Sequence, residues 1–200
     1  RPEPRPPVDL RPVRLSVTQI ETWRRDPYAI FARRILNLQP LDEAGAENIN
    51  AEIGNRLHES IERYQLASAK TETLAQAQER MAAIAGDVFG ELLSDINIKT
   101  FRWPRIIGAL ESFVAWDTER SPAVEAVRVE QTGKMEITLD DESTFTLTAR
   151  ADRIEKTAGG GAALVDYKSS RTPSNKEMEA GFAPQLTLEA AIVEQGGFEK

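Results

Sequence analysis

Asp152, Asp166 and Lys168 are the residues whose types and spacing point most directly to chemistry. They lie in "RADRIEKTAGGGAALVDYKSS", Arg150 to Ser170. If "AALVDYKSS" is a strand, Asp166 and Lys168 share one face and Tyr167 takes the other. Asp152 ends the polar face of the preceding strand, so pairing of the two strands brings two carboxylates together. Carboxylates that close repel unless a cation sits between them. Mg²⁺, a hard ion that prefers oxygen ligands, suits that place. A charged lysine beside it cannot be a ligand, but it can orient or deprotonate a water and stabilise negative charge on a phosphate. The plainer alternative is a cross-strand salt bridge, since Asp-x-Lys is common on strands.

Three other residues are candidates. His58, the sole histidine, sits in "EIGNRLHESIERY", one position off the apolar stripe of a helix, with Gly54 one turn earlier. It is either a ligand or a half-buried histidine with one hydrogen bond. Glu130 in "VRVEQ" is a further acid or a solvated strand residue. Gln185, after Pro184, is a supporting group or an ordinary first-turn residue.

The elements that must position these groups fall into two stretches. Residues 1–14 are Pro-rich and extended, in the manner of an interdomain linker. Ser16 caps a helix through Arg25, and Pro27 opens another to about Leu36. Residues 39–47 form a loop. Ile49, Ile53, Leu57, Ile61 and Tyr64 recur at helical spacing over 48–69. Residues 72–95 and 103–119 are helical, the latter with a stripe of Ile106, Ile107, Leu110, Phe113 and Val114. After Pro122 the pattern changes to strands: "AVEAVRVEQ", "GKMEITL", a turn at "DDES", then "TFTLTARADRIE". In the last, Phe145, Leu147, Ala149 and Ala151 oppose Thr146, Thr148, Arg150 and Asp152. "AGGG" breaks the chain before the next strand. Ser174 with Glu177 forms a capping box, and Pro184 opens a helix through Val193. Helical part 15–121 is thus followed by core 122–200. Lys200 closely follows the helix stop at "QGG", so further elements are expected beyond it.

The 200 residues are 40% hydrophobic and 28% charged, as in a globular domain. No apolar run reaches the roughly 18–20 residues of a membrane span, no signal peptide is expected, and the lack of cysteine fits a cytoplasmic location. The absence of cysteine excludes disulfides, thiolate zinc and an iron–sulfur cluster within the chain. The net charge is −7, yet residues 1–34 carry eight arginines against four acids. An acidic chain handles nucleic acid only if its basic groups line one groove. Arg24, Arg25, Arg33, Arg34 and Arg171 are the candidates for phosphate contacts.

Taken together, "EIGNRLHESIERY", "ARADRIE", "LVDYKSS" and "APQLTLEAAI" resemble, in order, the motifs of RecB-like nucleases of the PD-(D/E)-x-K superfamily. "LSVTQIETWRRDPYAIFARRILNL" is similar to the segment that opens nuclease domains of AddB-type subunits of helicase–nucleases. The resemblance implies an α/β (α+β) fold, a restriction-endonuclease-like mixed sheet flanked by helices, with a helical N-terminal portion. It implies His58, Asp152, Asp166 and the backbone carbonyl of Tyr167 as metal ligands, and Lys168 as the catalytic lysine. Gln185 is then a supporting residue, and Glu130 stands about where some members carry a further acid. The cofactor implied is Mg²⁺, with Mn²⁺ as the alternative. The function implied is a DNA exonuclease releasing 5′-phosphate products in double-strand break processing. Its partners would be a single-stranded DNA end and an AddA-type subunit, and no membrane. Two departures stand out. Asp26 falls near the first cysteine of the iron–sulfur members, and Glu189 replaces the usual tyrosine of the Gln185 motif. The rival readings are a non-catalytic module binding DNA or a partner subunit, and a metal-dependent hydrolase of a small substrate.

Overall fold

The structure, a computed structural model, describes residues 5–39, 49–67, 72–168 and 171–198. The expected loop at 39–47 lies almost entirely outside them. The chain folds into two compact units. The first comprises Arg1–Ala46, Glu130–Arg153 and Arg171–Lys200; the second comprises Glu47–Val129 and Ile154–Ser170. Four strands form one sheet: β1 (Arg14–Ser16), β2 (Val124–Thr138), β3 (Thr144–Thr157) and β4 (Ala162–Val165). The order is β1-β3-β2, and β4 also pairs β3. β1 runs parallel to β3, with Leu15 opposite Leu147. The turns at 139–143 and 158–161 are too short for a crossover, so β2 and β4 lie antiparallel to β3. This is the expected α/β class with a mixed sheet.

In the first unit, Ser16 caps α1 (Val17–Arg25) in a reciprocal box with Gln19. Asp26 accepts from the amides of Tyr28 and Ala29 to start α2 (Pro27–Ile30). The expected helix to Leu36 does not continue regularly. From Phe31 to Ile35 it widens into a π turn, closed by Leu36 N–H on Phe31 O at 3.1 Å. β1 replaces part of the expected extended segment, because Val13 O accepts the Thr146 amide at 2.8 Å. β2 is one strand where two were expected. The α6 helix (Asn175–Glu179) has the Ser174–Glu177 capping box, and α7 (Gln185–Glu194) follows Pro184.

In the second unit, α3 (Ile49–Leu66), α4 (Leu74–Val88) and α5 (Trp103–Arg120) enclose a core. Met81, Ala85, Phe89, Leu110 and Val114 are almost wholly buried. Each large one contributes about 1.5–3 kcal/mol. The helix expected over 72–95 ends at Val88. Leu92–Ser94 is a short 3-10 turn, and Asp95 accepts the Asn97 amide at 2.8 Å before a second π turn at Ile98–Arg102. Local side-chain hydrogen bonds of this kind compete with helix continuation.

The β3 alternation holds through Leu147, Ala149 and Ala151 and then buries Arg153 and Glu155 on the same parity. Glu155 is fully enclosed and receives Arg120 from the last turn of α5, at 3.0 and 2.8 Å from Nε to its two oxygens.

Candidate active site

Strand β4 ends at Val165, so Asp166 and Lys168 are not strand residues as the alternation had implied. The chain leaves the ladder because Tyr167 is held by the helices of its own unit. Its ring meets Phe113 edge-on with centroids 5.5 Å apart, and its hydroxyl accepts from Gln65 Nε2 at 3.1 Å. Its carbonyl meets His58 Nε2 at 3.0 Å. A carbonyl only accepts, so the imidazole donates through Nε2 in this arrangement, leaving Nδ1 as the other ring nitrogen. With Tyr167 directed into the helical core, Asp166 and Lys168 still come together. Lys168 Nζ lies 2.8 Å from Asp166 Oδ2, with the carboxylate side chain 9% and the lysine 33% exposed. This ion pair is local to the segment. His58 is half-buried on α3, whose Ile53, Ile61 and Tyr64 enter the core.

Glu130 and Asp152 belong to the first unit. They offer carboxylate oxygens within 4.8 Å of each other. Two full charges at that distance repel by about 3 kcal/mol at an effective dielectric near 20. Arg150 offsets one of them, its Nε 2.6 Å from Glu130 Oε2. Asp152 is half-buried between buried Ala151 and Arg153, where the β3 alternation places it. Glu130 has a left-handed backbone, φ 52°, inside a strand. Outside glycine that conformation is uncommon and costs on the order of 1 kcal/mol or more. No sequence signal marks it, since glutamate has no preference for that region.

Gln185 opens α7 and donates from Nε2 to Glu189 Oε1 at 3.2 Å. Glu189 is 1% exposed. The arginines divide. Arg24 and Arg25 donate to the carbonyls of Ala180 and Phe182 at 3.2 and 3.0 Å, bracing the approach to α7. Arg171 joins Glu177 at the start of α6. Glu177 is held down to about 2 by the Ser174 amide first, then by Arg171 and the Ser174 hydroxyl. Arg33 and Arg34 remain at a basic pocket.

The residues suit a hard divalent cation. His58, the Tyr167 carbonyl and Asp166 are donors of the second unit, and Glu130 and Asp152 are donors of the first. One imidazole among oxygens accommodates Mg²⁺ or Mn²⁺.

The model of a family described as the PD-(D/E)XK nuclease superfamily matches residues 14–200. A Rickettsia conorii protein, described as uncharacterized protein RC0550, is 28% identical over 193 residues, covering 94% of this chain and 23% of its own length. An uncharacterized protein of Rickettsia felis is 29% identical over 188 residues, covering 92% of this chain and 22% of its own. The chain thus spans less than a quarter of the length of these curated relatives. Among the described residues, no helix is long and apolar enough to cross a membrane.

Proposed function

The chain belongs to the PD-(D/E)XK nuclease superfamily, and on that premise we propose that it is a metal-dependent DNA exonuclease domain of a longer, AddB-type protein. The nuclease domain would run from residue 15 to 200, with a helical part at 15–121 that supplies His58 and a nuclease core at 122–200. The proposed setting is the cytoplasm, where the domain trims a single-stranded end during double-strand break processing beside an AddA-type subunit. The observation that carries the reading is the Asp166–Tyr167–Lys168 segment. Its carboxylate and ammonium are 2.8 Å apart, and its central carbonyl is held by His58.

His58, Asp152, Asp166 and the Tyr167 carbonyl would hold the cation, with Glu130 as a supporting acid. When bound, a divalent cation lowers the pKa of water and offsets phosphate charge. The chain's own residues supply the rest. Asp166 fixes the Lys168 ammonium, which donates to the attacking water or to a phosphate oxygen as negative charge builds. Tyr167 sets the segment's position through Phe113 and Gln65. Gln185 steadies the start of α7. Water adds to phosphorus, the P–O3′ bond breaks, and the proton ends on the 3′ oxygen, leaving a 5′-phosphate product.

The test is cleavage of end-labelled single-stranded DNA with Mg²⁺, with Mn²⁺ and with EDTA, comparing wild type, Asp166→Ala and Lys168→Ala. We expect metal-dependent cleavage, lost in Asp166→Ala and reduced at least about 100-fold in Lys168→Ala. Strand binding in EDTA should be nearly unchanged in Lys168→Ala. Cleavage that persists in EDTA or in Asp166→Ala sinks the reading. Strand binding without any cleavage, with the partner subunit present, favours a binding module instead.

A further inference from the structure

Within the first unit, Arg11, Arg14, Arg33 and Arg34 line one pocket of about 300 Å³ together with Asn37. All four arginines are exposed. Among the described residues, no carboxylate lines the pocket. Four guanidinium groups at one hollow repel one another unless an anion enters, and each presents a planar fork suited to phosphate oxygens. The backbone builds this convergence from two segments. Arg34 Nη2 donates to the Arg14 carbonyl at 3.4 Å, tying the π turn to β1. That π turn brings Arg33 and Arg34 round together, and Asn37 adopts a left-handed conformation (φ 54°) just beyond it.

A larger hollow of about 1010 Å³ shares Arg11 and Pro12 with the basic pocket. Trp23 and Tyr28 line it, and both are about half exposed. Aromatic faces beside a guanidinium-lined hollow are the combination that binds single strands, with phosphates on the cations and bases on the rings. A small free anion would use only the arginines.

We propose that the Arg11–Arg14–Arg33–Arg34 pocket and the adjoining Trp23–Tyr28 surface form a track for single-stranded nucleic acid, with phosphates in the pocket and bases stacked on the rings. The inference takes nucleic acid as the ligand class from the function proposed above. Its test runs in EDTA, so failure of the track and failure of cleavage are read separately.

The experiment is binding of a fluorescent oligothymidylate to the full-length protein across a salt series. Each phosphate contact on a single strand adds about 0.7 to the slope of log affinity against log salt. Replacing both Arg14 and Arg33 by Gln should flatten that slope by about 1.4. Replacing both by Lys, which keeps the charges, should largely restore it. Trp23→Ala should weaken binding roughly 5- to 100-fold with little change in slope. Inorganic phosphate serves as the competitor for the alternative source. The proposal is overturned if the Gln variant keeps the wild-type slope or if the Lys variant loses as much as the Gln variant. It is also overturned if phosphate binds the pocket while strand affinity ignores both Arg14/Arg33 and Trp23.

Discussion

Replacing Arg120 by Met should destabilise the protein by about 3 kcal/mol. Arg120 closes α5 and reaches β3, where Glu155 is wholly buried. Nε contacts both carboxylate oxygens, and Nη2 lies 2.8 Å from Oε2. The guanidinium also lies 5.5 Å from the Trp116 ring centroid. Removing one partner of a buried pair typically costs about 3–5 kcal/mol, because the remaining charge has lost its hydration and its counter-ion. Two features place Arg120→Met at the low end. The Arg120 side chain is 36% exposed, so water reaches that side, and Glu155 has other interactions. For a chain of this size, 3 kcal/mol corresponds to a fall of roughly 6–12 °C in Tm. Urea unfolding of wild type, Arg120→Met, Glu155→Met and the double variant measures the coupling. The double variant should recover most of the loss, since an apolar pair of similar volume avoids burying charge. An Arg120→Met protein within 0.5 kcal/mol of wild type would refute the reasoning. A double variant no better than the singles would locate the loss in packing against Trp116 instead.

Two further outcomes follow from individual residues. Glu130→Gly removes a carboxylate and also relieves a left-handed glutamate, so stability should change by no more than about 1 kcal/mol. Mn²⁺ affinity by calorimetry should nevertheless fall; unchanged affinity removes Glu130 from the metal set. Glu177 is depressed from 4.5 to about 2, so its stabilising contribution is present above pH 4.5 and disappears as pH falls toward 2. The stability gap between wild type and Glu177→Gln, measured by urea unfolding, should therefore be open at pH 7 and shrink steadily below pH 4.5. A gap independent of pH would show that the cap acts without the charge.

Local chemistry made much of the fold legible. The period-2 pattern of 145–152 placed Asp152 on the polar face of β3 because strand parity depends only on neighbouring residues. The apolar stripes of 49–64 and 106–114 located α3 and α5, and the Ser16, Ser174 and Pro184 signals located helix starts. Residue type and spacing made Asp166 and Lys168 candidates for metal and phosphate chemistry, and the motif around His58 added the histidine. Contacts between distant segments decided the rest. Arg14–Ser16 became a strand only through its pairing with residues 146–148. Lys168 and Asp166 left the ladder because Phe113, Gln65 and His58, all remote in sequence, hold Tyr167. Arg153 and Glu155 continue the inward parity of β3, and a partner arriving from α5 helps make the buried Glu155 charge tolerable. The basic pocket likewise depends on a π turn folding back to β1. None of these is a property of a short window of sequence, because each is stabilised by a group dozens of residues away or, for the π turn, by a departure from the regular helix that the pattern encodes.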